Sequence, residues 1–201
     1  MELKTPDNSL AFFQDLKIKS EAYWATVELD AATYGFQTQK NTKWNKGLSE
    51  ASIDAFEKEM GFQFSEGLRN YYRMMNGVDL PAINIYGSSG EAPAYSHNFY
   101  AYPQDVSAIK AKIHWIYTAN ATSEEALAQR GLSRIFPIFG HRFVLVDHPD
   151  EPILSMYGDD IIYWTHNISS LLATAIFKGQ ALPAAFDTAT APPSPIPFWL
   201  D

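Results

Sequence analysis

The chain has no cysteine. That absence excludes a disulfide framework, thiolate catalysis and any cysteine–zinc site. Basic residues are also in short supply: 15 Lys and Arg stand against 23 Asp and Glu, a net charge of −8. Direct nucleic-acid binding needs a basic face for the phosphates, so this balance argues against it. No apolar run is long enough to span a bilayer, and Met1 to Asp7 carries no apolar signal core. The expectation is a cytoplasmic protein with no membrane partner. Gly87-Ser88-Ser89-Gly90 has no Gly-Lys-Ser/Thr after it and reads as a turn rather than a phosphate cradle.

Reactive groups are equally sparse. His141, Asp147 and His148 flank one strand-like run, but His148 leaves it and no third-ligand pattern follows, so they read as loop residues. Ser155 lacks the glycines of a nucleophile elbow. His97, His114 and His166 are scattered. Asn120-Ala121-Thr122 and Asn167-Ile168-Ser169 match glycosylation sequons, which carry no meaning in a cytosolic chain. No enzymatic activity, metal or cofactor is expected.

What is present is a large apolar share. Hydrophobic residues make up 46% of the 201 and aromatics 14%, enough for one ordered domain with a full core. The reading places that domain at residues 1–180, with a Pro/Ala-rich tail over 181–201. The tail has a linker-like composition, although Phe198-Trp199-Leu200 could dock back onto the body.

The chain is organised around Trp44 to Pro81. Ser49 is a good N-cap, with Leu48 and Ile53 at the staple positions around it. Ile53, Phe56 and Met60 form one stripe, and Gly61 stops the helix. Ser65 caps a second helix whose stripe is Leu68, Tyr71, Tyr72 and Met75, closed by Asn76-Gly77. Two capped amphipathic helices cannot bury their stripes alone, so the rest of the chain must cover them. A helix over 9–24 precedes the pair, followed by a loop over 28–43. Ile83 to Tyr86 and Tyr95 to Tyr102 read as short strands. Asp105 is expected to cap a helix with Val106, Ile109, Ile113 and Ile116 inward, and Ser123 opens a shorter one ending at Gly131.

The second half reads as sheet. Ile135 to Phe139 is an edge strand, because Pro137 has no N–H to give a ladder. Phe143 to Val146 is a central strand, Ile153 to Met156 a third, and Ile161 to Trp164 a fourth after the Gly158-Asp159 turn. Asn167 caps a last helix. The pattern predicts an α+β fold, an antiparallel sheet of about four to six strands with helices packed on one face. The other face of such a sheet need not be covered and can serve for recognition.

The run Gly47-Leu48-Ser49, Ile53, Phe56-Glu57, Gly61, Tyr71 and Asn76-Gly77, preceded by Trp44, resembles the signature of the SUKH superfamily. Phe64-Ser65 stands where that pattern has Leu-Pro, and a Ser cap starts a helix as well as Pro does. The resemblance continues through Ile135 to Arg142 and Pro152 to Tyr157, and covers roughly residues 44 to 177. The superfamily contains bacterial toxin-immunity proteins and fungal cell-wall regulators. The resemblance implies an immunity protein that binds a cognate toxin domain, a nuclease being one guess, and blocks it by occlusion in the cytoplasm. The alternative is a non-catalytic regulatory scaffold of the cell-wall regulator type.

Two surfaces are candidates for the partner. Asp147, Asp150, Glu151, Asp159 and Asp160 lie at strand ends and turns with no Lys or Arg between them. They are either turn formers or an acidic rim that steers a basic toxin domain. Tyr86, Tyr95 and Tyr100 belong to an aromatic run that is either core or a recognition surface, since Tyr suits both strands and interface anchors.

Overall fold

In the computed structural model, which describes residues 3–87, 92–186 and 191–201, helices and short ribbons come first and a sheet follows. The order is α1 (Leu10–Trp24), β1 (Trp44–Lys46), α2 (Glu50–Met60), α3 (Glu66–Met74), β2 (Met75–Val78), β3 (Ala82–Asn84) and β4 (Ala94–Ser96). Then come α4 (Val106–Ala119), α5 (Glu124–Gln129), β5 (Ile135–Phe139), β6 (Arg142–Leu145), β7 (Ile153–Tyr157), β8 (Asp160–Thr165) and α6 (Ile168–Ile176). The fold is α+β. Strands β5 to β8 form a four-stranded antiparallel meander, and β1–β2 and β3–β4 are separate two-stranded ribbons.

The central helices begin and end as their caps dictate. The Ser49 hydroxyl accepts from the Ser52 amide, and Gly61 ends α2 in the left-handed region at φ 84°. The Ser65 hydroxyl accepts from the Leu68 amide. Glu57, buried between the two helices, accepts from the Phe64 amide and from Arg69 Nη1, and so ties the connecting loop to both. On the outer face Arg69 also reaches Glu50 and Asp54, while Arg73 reaches Glu50 and Glu66. Hydrogen bonds from Arg73, then Arg69, pull the Glu50 carboxyl from 4.5 down to about 2. The stabilisation is therefore fully present above pH 4.5 and is lost as pH falls through about 2. The gap in denaturation midpoint between wild type and Glu50→Gln should close across that window. A gap that stays constant down to pH 2 would show that the pair contributes nothing through charge.

Helix α3 does not end at Asn76-Gly77 as its sequence suggests. Met75 is already extended, and β2 pairs with β1 through Lys46↔Met75 and Trp44↔Val78. The close approach of the segment after β1 to the end of α3 explains Gly47: a Cβ there would stand 1.9 Å from the Arg73 carbonyl oxygen. Asn76 serves neither as cap nor as turn. Its amide donates to the Tyr102 carbonyl and its oxygen accepts from the Tyr102 amide, both at 2.8 Å, which clips the segment before α4 into place. Asp105 likewise makes no side-chain cap to α4; its carboxylate accepts from the Ala101 amide instead. The predicted strand over 83–86 shortens to β3, because Ile85 to Gly87 turns. The one over 95–102 reduces to β4 and an isolated bridge from Phe99 to Phe139. Of the expected turn at Gly87-Ser88-Ser89-Gly90, only Gly87 is among the described residues.

Two apolar cores lie on opposite faces of the meander. Phe136, Ile138, Val144 and Ile153 face α1, α2, α3 and α6, and Phe136 meets the rings of Phe56, Phe64 and Tyr72. Ile135, Phe143, Leu145, Leu154 and Met156 face Ile116 and Tyr117 of α4, Leu127 of α5, and Ile196 and Trp199. The second face, which such a sheet can leave uncovered, is here covered as well. The continuous apolar run of β6 already required this, since it offers no polar side to water. The segment after α6 completes both cores: Phe186 packs into the first, and Ile196 and Trp199 into the second.

Candidate functional site

One corner of the sheet escapes both cores. Register places Arg142 opposite Ser155 and Ser155 opposite Ile162, on the face that carries Val144 further along. Tyr157 and Trp164 share that face by alternation along β7 and β8. Tyr157 is 67% exposed and Ile162 50%. Trp115 of α4 adds an exposed ring in edge contact with Tyr157 at 5.2 Å, and His141 flanks Tyr157 from the β5–β6 turn.

Arg142 is the polar centre of this corner. Its guanidinium lies over the Trp164 ring, 3.6 Å from the centroid, and Nη1 donates to Ser155 Oγ at 2.7 Å. Burial pushes its pKa down, yet an arginine keeps its charge in any protein environment. The turn beside it is held rigid. The Gly140 carbonyl accepts from Lys112 Nζ at 2.7 Å and from the Tyr100 hydroxyl at 3.2 Å, and the Gly140 amide donates to Asn98. Burial lowers the pKa of Lys112. Burial, then the charges of Arg142 and Lys112, lowers that of His141. Between this corner and α6 runs a groove of about 440 Å³, walled by Phe36, Phe139, Leu171 and Ala175, with Lys178 at α6 and Arg142 and Trp164 along the sheet side. A second groove of similar size, about 430 Å³, separates Gly61 and Phe62 from α4 and α5. Its charges are mixed, with Lys110 and His114 facing Glu124 and Glu125.

The five acids of the turns separate into two groups. Asp147 accepts from the Arg134 amide, Nε and Nη2. Burial raises its pKa, but the Arg134 bonds outweigh that and hold it below the usual value. Asp150 accepts from the Ser194 hydroxyl. Glu151 adopts φ 48° and accepts from the Gly67 amide at the start of α3 and from the Asn8 side chain. These three tie the 147–151 loop to the rest of the molecule. Asp159 and Asp160 are exposed at the β7–β8 turn, at the rim of the aromatic corner.

The tyrosines divide as well. Tyr100 is 4% exposed and cannot present its ring to a partner; it belongs to the core and holds Gly140. Tyr95 is exposed on β4. Tyr86 is exposed, stacks on Tyr34 and donates its hydroxyl to the Ala31 carbonyl. Ser155 is occupied by Arg142, and among the described residues no three of His, Asp and Glu gather as a metal set. No described helix is long and apolar enough to cross a membrane.

None of the family models, curated proteins or solved structures compared with this chain matches it. The class it defines is an α+β protein with a partly open sheet corner.

Proposed function

We propose that this chain is an immunity protein of the SUKH type, which binds a cognate toxin domain in the cytoplasm and blocks it by occlusion. The observation that supports this reading is the open corner of the sheet. Trp115, Tyr157 and Ile162 expose apolar surface around a fixed Arg142–Trp164 stack. Aromatic and arginine anchors surrounded by less critical contacts are what a protein interface uses for most of its affinity. Asp159 and Asp160 at the rim are placed to speed the approach of a basic toxin domain, and the net charge of −8 acts in the same sense. Asp147 contributes little to that steering, because Arg134 neutralises it; Asp150 and Glu151 keep their charge but are held in place by neutral donors within the chain.

The test is complex formation with any toxin domain that is found encoded near this chain's gene. Tyr157→Arg with Ile162→Glu should weaken the complex by about 2 kcal/mol or more, the scale of a hot-spot loss, with an unchanged circular dichroism spectrum. Reversing Asp159 and Asp160 to Lys should slow association at low salt and matter less as salt rises. Binding that is indifferent to both sets of changes would remove the corner from the interface. Absence of binding to any neighbouring toxin domain would count against immunity itself.

A further inference from the structure

The arginines of this chain are spoken for, with one exception that is not simply exposed. Arg69 meets Glu50, Asp54 and Glu57; Arg73 meets Glu50 and Glu66; Arg134 meets Asp147 and Glu124. Arg130 is exposed on the surface over the Phe198 ring. Arg142 is half-buried, and no described carboxylate pairs with it in a chain that has 23 to offer. Leaving a charge partly desolvated without a counter-charge is costly unless something else meets it.

What holds Arg142 also defines what it can still bind. Trp164 fixes the plane of the guanidinium and Ser155 takes Nη1. Nε and Nη2, the edge that receives a carboxylate side-on through two parallel bonds, have no acceptor among the described residues. The groove beside them is walled by Phe36, Phe139, Leu171 and Ala175, with the exposed Lys178 as a second cation. A polyphosphate would need more cations than these, since His141, the remaining basic group of the lining, has its pKa lowered by burial and by the charges of Arg142 and Lys112, and it would gain nothing from the apolar walls. A single carboxylate flanked by apolar side chains fits both features.

We propose that this groove is a receptor for one Asp or Glu side chain carried on a partly apolar segment of the otherwise basic partner protein, with Arg142 as the fork and Lys178 as the outer charge. It deepens the docking reading and rests on it only for the source of the carboxylate.

The test follows the Arg142 Nε–H and Trp164 Nε1–H signals of the 15N-labelled full chain. Two end-blocked tripeptides are titrated in, leucine–glutamate–phenylalanine and its glutamine twin. The glutamate peptide should give saturable shifts at both signals. The glutamine peptide should bind about tenfold more weakly or worse, the scale of a charge-assisted pair. Arg142→Gln, followed at Trp164, should lose binding similarly. Should Arg142→Gln loosen the corner, Lys178→Glu changes only an exposed side chain and should still weaken the glutamate peptide several-fold. Equal binding of the two peptides, no saturable shift with either, indifference to both substitutions, or competition by inorganic phosphate as strong as by the glutamate peptide would each overturn the proposal. A glutamate peptide that binds while no toxin domain does would leave this site standing and remove the immunity reading. A toxin complex unaffected by Arg142→Gln and Lys178→Glu would do the reverse.

Discussion

Replacing Phe56 by alanine is expected to lower the stability of the chain by about 3–5 kcal/mol, measured by urea unfolding at equilibrium. Phe56 is fully buried on α2 and touches four other rings. It stacks on Tyr102 at 4.5 Å and meets Phe64, Tyr72 and Phe136 edge-on at 5.0, 5.2 and 5.8 Å. These neighbours come from the α2–α3 loop, from α3, from the segment before α4 and from β5, so no single element can shift to fill the space. The cost therefore includes the cavity as well as the lost transfer energy. The loss should also loosen the packing of the helical pair on the sheet. A drop below about 1 kcal/mol would mean that the site collapses freely or is not buried.

The second large effect is expected at the other end of the chain. Trp199→Ala should cost about 3–5 kcal/mol, on the same scale as other buried aromatic truncations. Trp199 is 3% exposed, stacks on Tyr117 of α4 at 6.2 Å, and donates its indole N–H to the Ser133 carbonyl at 2.8 Å. Trp199→Phe separates the contributions. It keeps most of the ring area and forfeits the hydrogen bond, which should cost about 0.5–1.5 kcal/mol beyond any packing loss. A free linker would instead give changes within about 0.5 kcal/mol for either variant. The same measurement therefore distinguishes a docked tail from a dangling one.

Trp199 also shows why the tail resists reading from sequence. Four prolines at 192, 193, 195 and 197 give a composition that suits a linker, and an isolated apolar triplet has no period to signal burial. Only the neighbouring face of β5, β6 and β7 makes it a core residue. Strands β1 and β2 were hidden for a related reason. Trp44-Asn45-Lys46 and Met75-Asn76-Gly77-Val78 are short and do not alternate, and their pairing joins segments about thirty residues apart, beyond any local signal. Asn76-Gly77 resembles a helix stop so closely that its true use, the clip to Tyr102, had no local signature.

The candidate site was legible in pieces. Arg142 and Tyr157 both stand in runs quoted for the family resemblance, and Trp164 was placed on the last strand, but none had a role. Their meeting depends on which residue of β6 faces which of β7 and β8. A slip of one position would turn Arg142 to the other face of the sheet. The acidic turns show the opposite limit of reading charge along the chain. Between residues 147 and 160 the sequence has no base, yet Arg134, thirteen residues before Asp147, neutralises it across the β5–β6 pair. Linear charge counting cannot see a partner supplied by the adjacent strand.

The sequence by itself determined the caps at Ser49, Ser65 and Asn167, the left-handed stop at Gly61, and the edge position of the strand containing Pro137. Each follows from hydrogen bonds or torsion angles within a few residues, and at these positions no described contact from elsewhere displaces them, unlike at Asn76-Gly77. Tertiary structure alone decided which segments cover the second face of the sheet, that Tyr100 lies inside, that Asp147 and Glu151 are internal ties, and that Arg142 is left on an open corner. Those outcomes depend on long-range register and on which surfaces remain after the cores have closed, and burial is a property of the assembled chain rather than of any segment of it.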